Sequence, residues 1–384
     1  MKLKSLVLCS DEKIVRVLRR VLSDLDITME NCSDAAAAIR TLTRQRFEAV
    51  IVDCADERAA SQVLKSARLA PCNKRAIAVA IIDGKTAVRS AFELGAHFVL
   101  YKPVSMERTK ASFRAARALM KRERRRNTRI PVEMPVTLRI DGGGSQKQIN
   151  TSSSDLGEGG IAIQLSRRPR NLSPLRVEFT LPGTQDAITC KGEIAWENAG
   201  RQAGIRFVDL SAKERNQLKA WVSSHAPEAE ADDPPAHCKL TDLSLGGCYL
   251  EISSPFPAGT RVVLAMRAGQ LQVRVDGVVR VMHPEIGMGV EFVRTTEQQR
   301  EHVERFIQEL MKSQTALPDL LVEADGLETE SESRDGLLPP AEPVDDPLVA
   351  LFRQKSDLPA EAFLTELRRQ RGSTCEEAEP TFSI

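Results

Sequence analysis

Residues 154–165, SDLGEGGIAIQL, and residues 241–252, TDLSLGGCYLEI, share one pattern: an acid and a leucine, a spacer, two glycines, then alternating apolar side chains. The likeness continues downstream. KGEIAW at 191–196 matches DGVVRV at 276–281, and AGIRFVDLSAKERNQLKAWV at 203–222 matches MGVEFVRTTEQQREHVERFI at 288–307. The spacing agrees as well: Asp155 and Asp242 are 87 apart, while Gly192 and Gly277, and Phe207 and Phe292, are 85 apart. Shared order, chemistry and spacing identify a duplication.

Each copy alternates apolar and polar residues over short runs, as in LRVEFTLPG and AITCKGEIAWEN, then TRVVLAMRA and LQVRVDGVVRVMH. Short alternating runs between turn residues predict a small, six-stranded type of β-barrel for each copy. A helical period follows each barrel. Leu218, Trp221, Val303, Phe306, Ile307 and Leu310 form its apolar stripe, and Ser211 with Glu214 is a capping-box pair.

The first 119 residues read differently. LKSLVLCS, DITMENC, FEAVIVDCAD, AIAVAIIDG and HFVLYKPVS are strand-like, with helical periods between them. This alternation predicts a doubly wound α/β domain with sites at the carboxyl ends of its strands, where Asp11, Asp53 and Lys102 fall. The segment resembles a two-component receiver domain. The resemblance implies Asp53 as phosphoacceptor, Lys102 of the YKP stretch as its partner, and a magnesium ion held by Asp11 and Asp53. Ser10 stands where the family has a second acid, and Ile82 or Asp83 where it has a hydroxyl. Losing an oxygen ligand weakens a divalent-cation site. Two readings stand: a domain phosphorylated on Asp53 by a histidine kinase, or a degenerate receiver used for docking or dimerisation.

Between these regions lies KRERRRNTRIPV, residues 121–132, with six basic side chains and one acid in its first nine positions. A charge run is commonly a solvated face, and a D-L-x-x-G-G turn alone is commonly a hairpin. Together they resemble the PilZ domain, a barrel that binds cyclic di-GMP. Its pattern is R-x-x-x-R before the first strand, then [D/N]-x-S-x-x-G. Arg125 and Arg129 match the first element, and Asp155 and Gly160 the second, with Gly157 in place of the serine. The resemblance implies that Arg125, Arg126 and Arg129 wrap the nucleotide while Asp155, Gly157 and Gly160 form the opposing turn. Guanidinium groups suit this task, because they pair bidentately with phosphate and with the guanine edge. A missing serine hydroxyl removes a hydrogen bond of about 1 kcal/mol. The arm is expected to be mobile without ligand.

The second copy has the complete turn, Asp242, Ser244 and Gly247, but no R-x-x-x-R. The acidic HAPEAEADDPPAHCKL precedes it and would repel a dianion. It is expected to be a shortened, non-binding barrel. His237 and Cys238 are adjacent, with no second pair to complete a metal site. From Asp319 to Asp346 there are ten acids and one basic residue, a composition expected to be disordered alone. Beyond it, Leu348, Leu351, Phe352, Phe363, Leu364 and Leu367 have helical spacing and suit a peptide that folds on a partner or on this chain's own domains.

The expected domains are 1–119 receiver-like, 120–228 barrel with basic arm, 229–314 second barrel, and 315–384 acidic tail. Of the 384 residues, 42% are hydrophobic and 4% aromatic, and the net charge is +1. This balance argues against general nucleic-acid binding. Eight cysteines without a C-x-x-C, and no long apolar run, lead to the expectation of a reduced, cytoplasmic protein with no membrane insertion. No catalytic constellation or P-loop is present, so an enzyme is not expected. Three functions are weighed: a cyclic di-GMP effector with a protein partner, a ligand-free scaffold, and, as the weakest, a nucleic-acid binder.

Overall fold

The computed structural model describes residues 2–84, 88–142, 145–165, 175–198, 202–226, 233–293, 297–312, 318–328, 346–354 and 358–376. The chain divides into two compact units, residues 1–122 together with 232–384, and residues 123–231.

The first unit opens with β1 (Leu3–Leu8), α1 (Glu12–Asp24), β2 (Ile27–Cys32), α2 (Ala35–Arg44), β3 (Ala49–Asp53), α3 (Glu57–Leu69), β4 (Ile77–Ile82), α4 (Val88–Glu93), β5 (Phe98–Tyr101) and α5 (Met106–Arg126). The five strands are parallel in the order β2-β1-β3-β4-β5. This is the doubly wound receiver-type order. β4 is apolar throughout because helices cover both faces of the sheet. Asp11, Asp34 and Asp56 cap α1, α2 and α3, each accepting from a backbone N–H of the first turn.

The second unit is the first barrel: β6 (Ile130–Pro131), β7 (Pro135–Gly142), β8 (Ser145–Gly157), β9 (Gly160–Gln164), β10 (Leu175–Thr180), β11 (Ala187–Glu197), β12 (Gln202–Phe207) and α6 (Ala212–His225). Six strands, β8-β7-β10-β11-β12-β9, close through the β8–β9 pairing, and β6 adds to β8. The Ser211–Glu214 capping box forms as the sequence predicts, and Leu218 and Trp221 of α6 pack on the core.

The second barrel contains β13 (Ala236–Leu243), β14 (Gly247–Glu251), β15 (Thr260–Ala268), β16 (Leu271–His283), β17 (Gly287–Phe292), α7 (Glu297–Lys312) and β18 (Asp319–Leu327). It closes in the order β13-β14-β17-β16-β15-β18. The helices α8 (Pro347–Gln354) and α9 (Ala360–Glu376) follow. Five strands correspond to those of the first barrel, and the sixth arrives from the other end of the domain. β18 is antiparallel to β15 and β13, as β7 is antiparallel to β10 and β8. The second barrel is therefore a circular permutation of the first.

This revises the expected domain limits. The second barrel extends to residue 327 instead of ending at 314, and residues 319–327 of the acidic stretch are a strand. Their net charge hides an alternation. Leu320, Val322 and Ala324 face the core while Asp319, Glu323 and Asp325 lie on the opposite face. The strand does not fold alone; it fills the gap between two strands that would otherwise be open edges. The remaining acids of the tail, 329–345, lie outside the described residues.

The basic run is also divided. α5 continues to Arg126, past the expected boundary at 119. Within the first unit, Arg117 and Lys121 both contact Asp233, at 2.6 and 2.8 Å, and Arg122 contacts Asp325 of β18 at 2.9 Å. Lys121 and Arg122 are buried by these pairings. The acids before β13 and in β18 thus satisfy the front of the basic run.

Candidate functional site

The rear of the run belongs to the first barrel. Arg125 and Arg126 occupy the last turn of α5, where positive charge complements the helix dipole. Asn127 and Thr128 close that end: Asn127 Nδ2 donates to the Glu123 carbonyl and Thr128 Oγ1 to that of Arg124. The expected arm is therefore a helix end for Arg125 and Arg126, and only Arg129 reaches forward as an extended residue. Its Nη1 donates to the Gly160 carbonyl at 2.5 Å and lies 3.6 Å from Asp155 Oδ1. Arg126 lies 3.7 Å from Glu123. Among the predicted ligand residues, the structure brings Arg129, Asp155, Gly157 and Gly160 together.

The glycines differ in what they permit. A Cβ on Gly157 would lie 2.8 Å from the Thr128 carbonyl oxygen and 3.0 Å from Arg129 Cδ. The serine of the family pattern does not fit here unless the Thr128 backbone shifts and Arg129 moves with it. Gly157 is thus a fitted surface for Arg129 and not simply a lost hydroxyl. Gly157→Ser is accordingly expected to shift Thr128 and Arg129 away from the turn and so to weaken any anion binding there, where the family pattern alone would predict a gain. Titration calorimetry decides between them, and tighter binding by the variant would contradict the structural reading.

One further exposed residue lies in the same cross-strand row as Asp155. Asp155, Ala162, Gly204 and Trp196 are successive cross-strand neighbours in one row over β8, β9, β12 and β11. The Trp196 ring lies across Gly204, whose added Cβ would meet Nε1 at 2.2 Å, and Trp196 is 44% exposed. The alternation of β11 assigns Trp196 to the inward set with Ile188 and Cys190. A register shift between Ile194 and Trp196 reverses it and turns the indole outward. Sequence reasoning missed Trp196 because periodicity does not reveal a bulge.

The corresponding turn of the second barrel is filled. Ser244 Oγ accepts from the Gly247 N–H at 3.1 Å. Gly246 N donates at 2.8 Å to Oδ2 of Asp346, the residue capping α8. The Phe292 N–H donates to the Gly246 carbonyl, as Phe207 N–H does to Gly159, so the two turns are equivalent in backbone as well as in sequence. A Cβ on Gly159, by contrast, meets nothing within 4 Å among the described residues.

In the receiver-like domain, Asp53 ends β3 and its Oδ1 lies 2.8 Å from Lys102 Nζ. The Ala55 N–H donates to the same carboxylate at 3.0 Å and the Cys9 thiol at 3.6 Å. Burial, reinforced by the Asp53 charge, pushes the Cys9 thiol up to about 11, so it remains a neutral donor. Burial of Lys102 opposes its charge, but Asp53 and then Asp83 hold its pKa above the ordinary lysine value. Ile82 is buried within β4, and Asp83 Oδ2 lies 3.8 Å from Lys102. Asp11 caps α1 through the Lys13 and Ile14 N–H groups. Among the described residues no group of three or more His, Cys, Asp or Glu is placed to hold a metal. Asp11 and Asp53 are the two carboxylates here that would hold a divalent cation, and Ser10 in place of an acid leaves such a site one oxygen ligand weaker.

Residues 123–224 and 226–309 each match the PilZ domain family. Comparison with curated proteins gave no match. Solved structures similar to the chain include the receiver domain of the sensor histidine kinase PA1611 from Pseudomonas aeruginosa PAO1, solved with a magnesium ion in its active-site cleft. It is 18% identical, over 31% of this chain and 98% of that one, with a TM-score of 0.27. The chemotaxis response regulator CheY4 of Vibrio cholerae is 18% identical over 30% and 99%, with a TM-score of 0.28. The signal receiver domain of an HD domain-containing protein from Pseudomonas fluorescens Pf-5 is 22% identical over 33% and 93%, with a TM-score of 0.27. Among the described residues no helix is long and apolar enough to cross a membrane.

Proposed function

We propose that this chain, a receiver-like domain followed by tandem PilZ domains, is a cyclic di-GMP effector whose ligand sits on the first barrel. The observation that carries this is the seating of Arg129 on the glycine turn beside Asp155, one residue from the open position at Gly159. The second barrel supplies an internal precedent: at the equivalent amide, Gly246, the same turn donates to a carboxylate oxygen. A phosphate or guanine oxygen approaching Gly159 would use the same donor geometry. Arg125, Arg126 and Arg129 supply the opposing guanidinium groups, and Trp196 a flat apolar surface for a base.

Charge-assisted hydrogen bonds contribute about 1.5–3 kcal/mol each, so Arg125→Ala with Arg129→Ala is expected to weaken cyclic di-GMP binding by roughly 100-fold or more. Titration calorimetry on the full chain tests this, and equal affinity for both proteins would refute the site. The only other tryptophan, Trp221, is buried with its Nε1 on the Pro182 carbonyl. Ligand is therefore expected to change tryptophan emission through Trp196, and the change should vanish in Trp196→Phe.

The receiver-like domain acts as a docking module for a protein partner instead of a phosphorylated switch, and the chain as a binding protein instead of an enzyme. Ser10 in place of an acid, the buried Ile82 or charged Asp83 in place of a hydroxyl, and the capping role of Asp11 support this. A small-molecule phosphodonor with magnesium is expected to leave the intact mass unchanged. A phosphoryl adduct lost in Asp53→Asn would restore the histidine-kinase reading. Cytoplasmic residence remains the proposal made from the cysteine pattern.

A further inference from the structure

The second barrel retains a complete D-x-S-x-x-G turn with no arginines of the R-x-x-x-R kind to accompany it. What lies on the turn is a helix. We propose that the second barrel is a receptor for an acid-capped apolar helix, filled in this chain by Asp346–Arg353, and that α8 and α9 form a detachable strap on it.

Three glycines shape the seat. An added Cβ on Gly246 would meet Asp346 Oδ2 at 2.7 Å and Val349 Cγ2 at 2.9 Å. On Gly289 it would meet Phe352 Cε1 at 2.6 Å, whereas on Gly247 it would first meet the barrel's own Val290 carbonyl oxygen at 2.6 Å and then Phe352 Cε2 at 3.3 Å. Any side chain at Gly246 or Gly289 would displace the helix. The Asp346 carboxylate, 7% exposed, serves both partners. Oδ1 accepts from the Leu348 and Val349 N–H groups of its own helix, at 3.1 and 3.2 Å, and Oδ2 accepts from Gly246 at 2.8 Å. At the other end of α8, Arg353 pairs with Glu291 of β17, which also holds Arg280 at 2.7 Å. Phe363 of α9 completes the cover, 5.6 Å from Tyr249, 4.8 Å from His283 and 6.2 Å from Phe352 between ring centres.

The recognition is specific to this copy. Gly159 in the first barrel is open, and Gly204, the counterpart of Gly289, lies under Trp196 of its own barrel. At the position of Trp196 the second barrel has Val281, turned outward by the same register shift and buried in the cluster of Leu348, Leu351, Phe352 and Phe363. The pattern the seat reads is therefore an acidic N-cap, apolar residues two, three, five and six positions on, and an arginine at the seventh.

Two features make the cover separable. The barrel is closed without it, since all six ladders are formed by β13–β18. α8 has eight residues, too few for a stable isolated helix in water, so it depends on the seat for its order. A partner helix of the same pattern would compete for the seat.

The test uses the full chain and a labelled peptide of residues 346–376. Asp346→Ala with Phe352→Ala unseats the strap and leaves the seat intact. This variant is expected to bind the peptide saturably, at least tenfold more tightly than the wild type, whose own strap competes. Adding Gly289→Ala should abolish that binding. In an independent measurement, Gly289→Ala alone should raise hydrogen exchange in residues 348–354 by tenfold or more while β13–β18 stay protected. Peptide binding unaffected by Gly289→Ala, or unchanged exchange of α8 in that variant, would overturn the proposal.

Discussion

A chain ended after Lys312 is expected to lose the cooperative unfolding transition of its second barrel, whereas a chain ended at residue 345 keeps it. Among the described residues, β18 with the flanking Pro318 and Glu328 separates the two outcomes. Removing it strips the partner strand from β15 along its whole length and from the start of β13. Two strand edges would open, and Leu264 and Met266, both fully buried, would lose their cover. Leu320 and Val322 each contribute roughly 1.5–3 kcal/mol by burial. Losing Asp325 also leaves Arg122 buried without that acid, a change that costs about 3–5 kcal/mol when a buried pair is broken from one side. These losses rival the 5–15 kcal/mol that typically holds a whole domain together. Differential scanning calorimetry of the two truncations reads the difference. A surviving transition in the shorter chain would show that β18 is an addition and not a stave of the barrel.

Gly160→Ala is expected to cost the first barrel about 3 kcal/mol and to lower its melting temperature by roughly 10 °C. The family pattern assigns this glycine to the ligand, but the packing gives it a separate duty. Its Cβ would lie 2.3 Å from the Ile205 carbonyl oxygen and 3.2 Å from the Arg206 Cα. Both are backbone of β12, paired with β9, so no rotamer change relieves the collision. Gly159→Ala offers the control. Its Cβ points into open space, and stability should change little while ligand affinity falls, because the methyl group occupies the approach to the turn. Thermal melts and calorimetry on the two variants separate fold from binding. Comparable melting temperatures would mean that β9 and β12 can part without cost, contrary to the close approach seen between them.

The seating of Arg129 makes the same distinction by another route. A side chain added at Gly157 perturbs the Thr128–Arg129 segment, and one added at Gly160 perturbs the pairing of β9 with β12. Two glycines three residues apart in one motif thus fail for different reasons, which a consensus pattern cannot express.

Much of the architecture is determined by the sequence itself. The apolar runs ending at Leu8, Asp53 and Ile82 identify a parallel sheet buried on both faces, because only such strands lack polar alternation. The repeat offsets identify two barrels, because side-chain spacing in paired strands cannot drift without losing register. Arg129 and Asp155 are legible as candidate site residues from the family pattern they match, and the fold brings them within 3.6 Å of each other. Tertiary structure decided the rest. It drew β18 from an acidic segment into the place of a missing first strand, since barrel closure depends on neighbour relations and not on chain order. It divided the basic run between ion pairs with Asp233 and Asp325 and the glycine turn of the first barrel. It turned Trp196 outward through one bulge, and it set Asp346 on a turn one hundred residues away in sequence. Each outcome depends on which distant group meets a given backbone donor or edge, and local periodicity carries no record of that meeting.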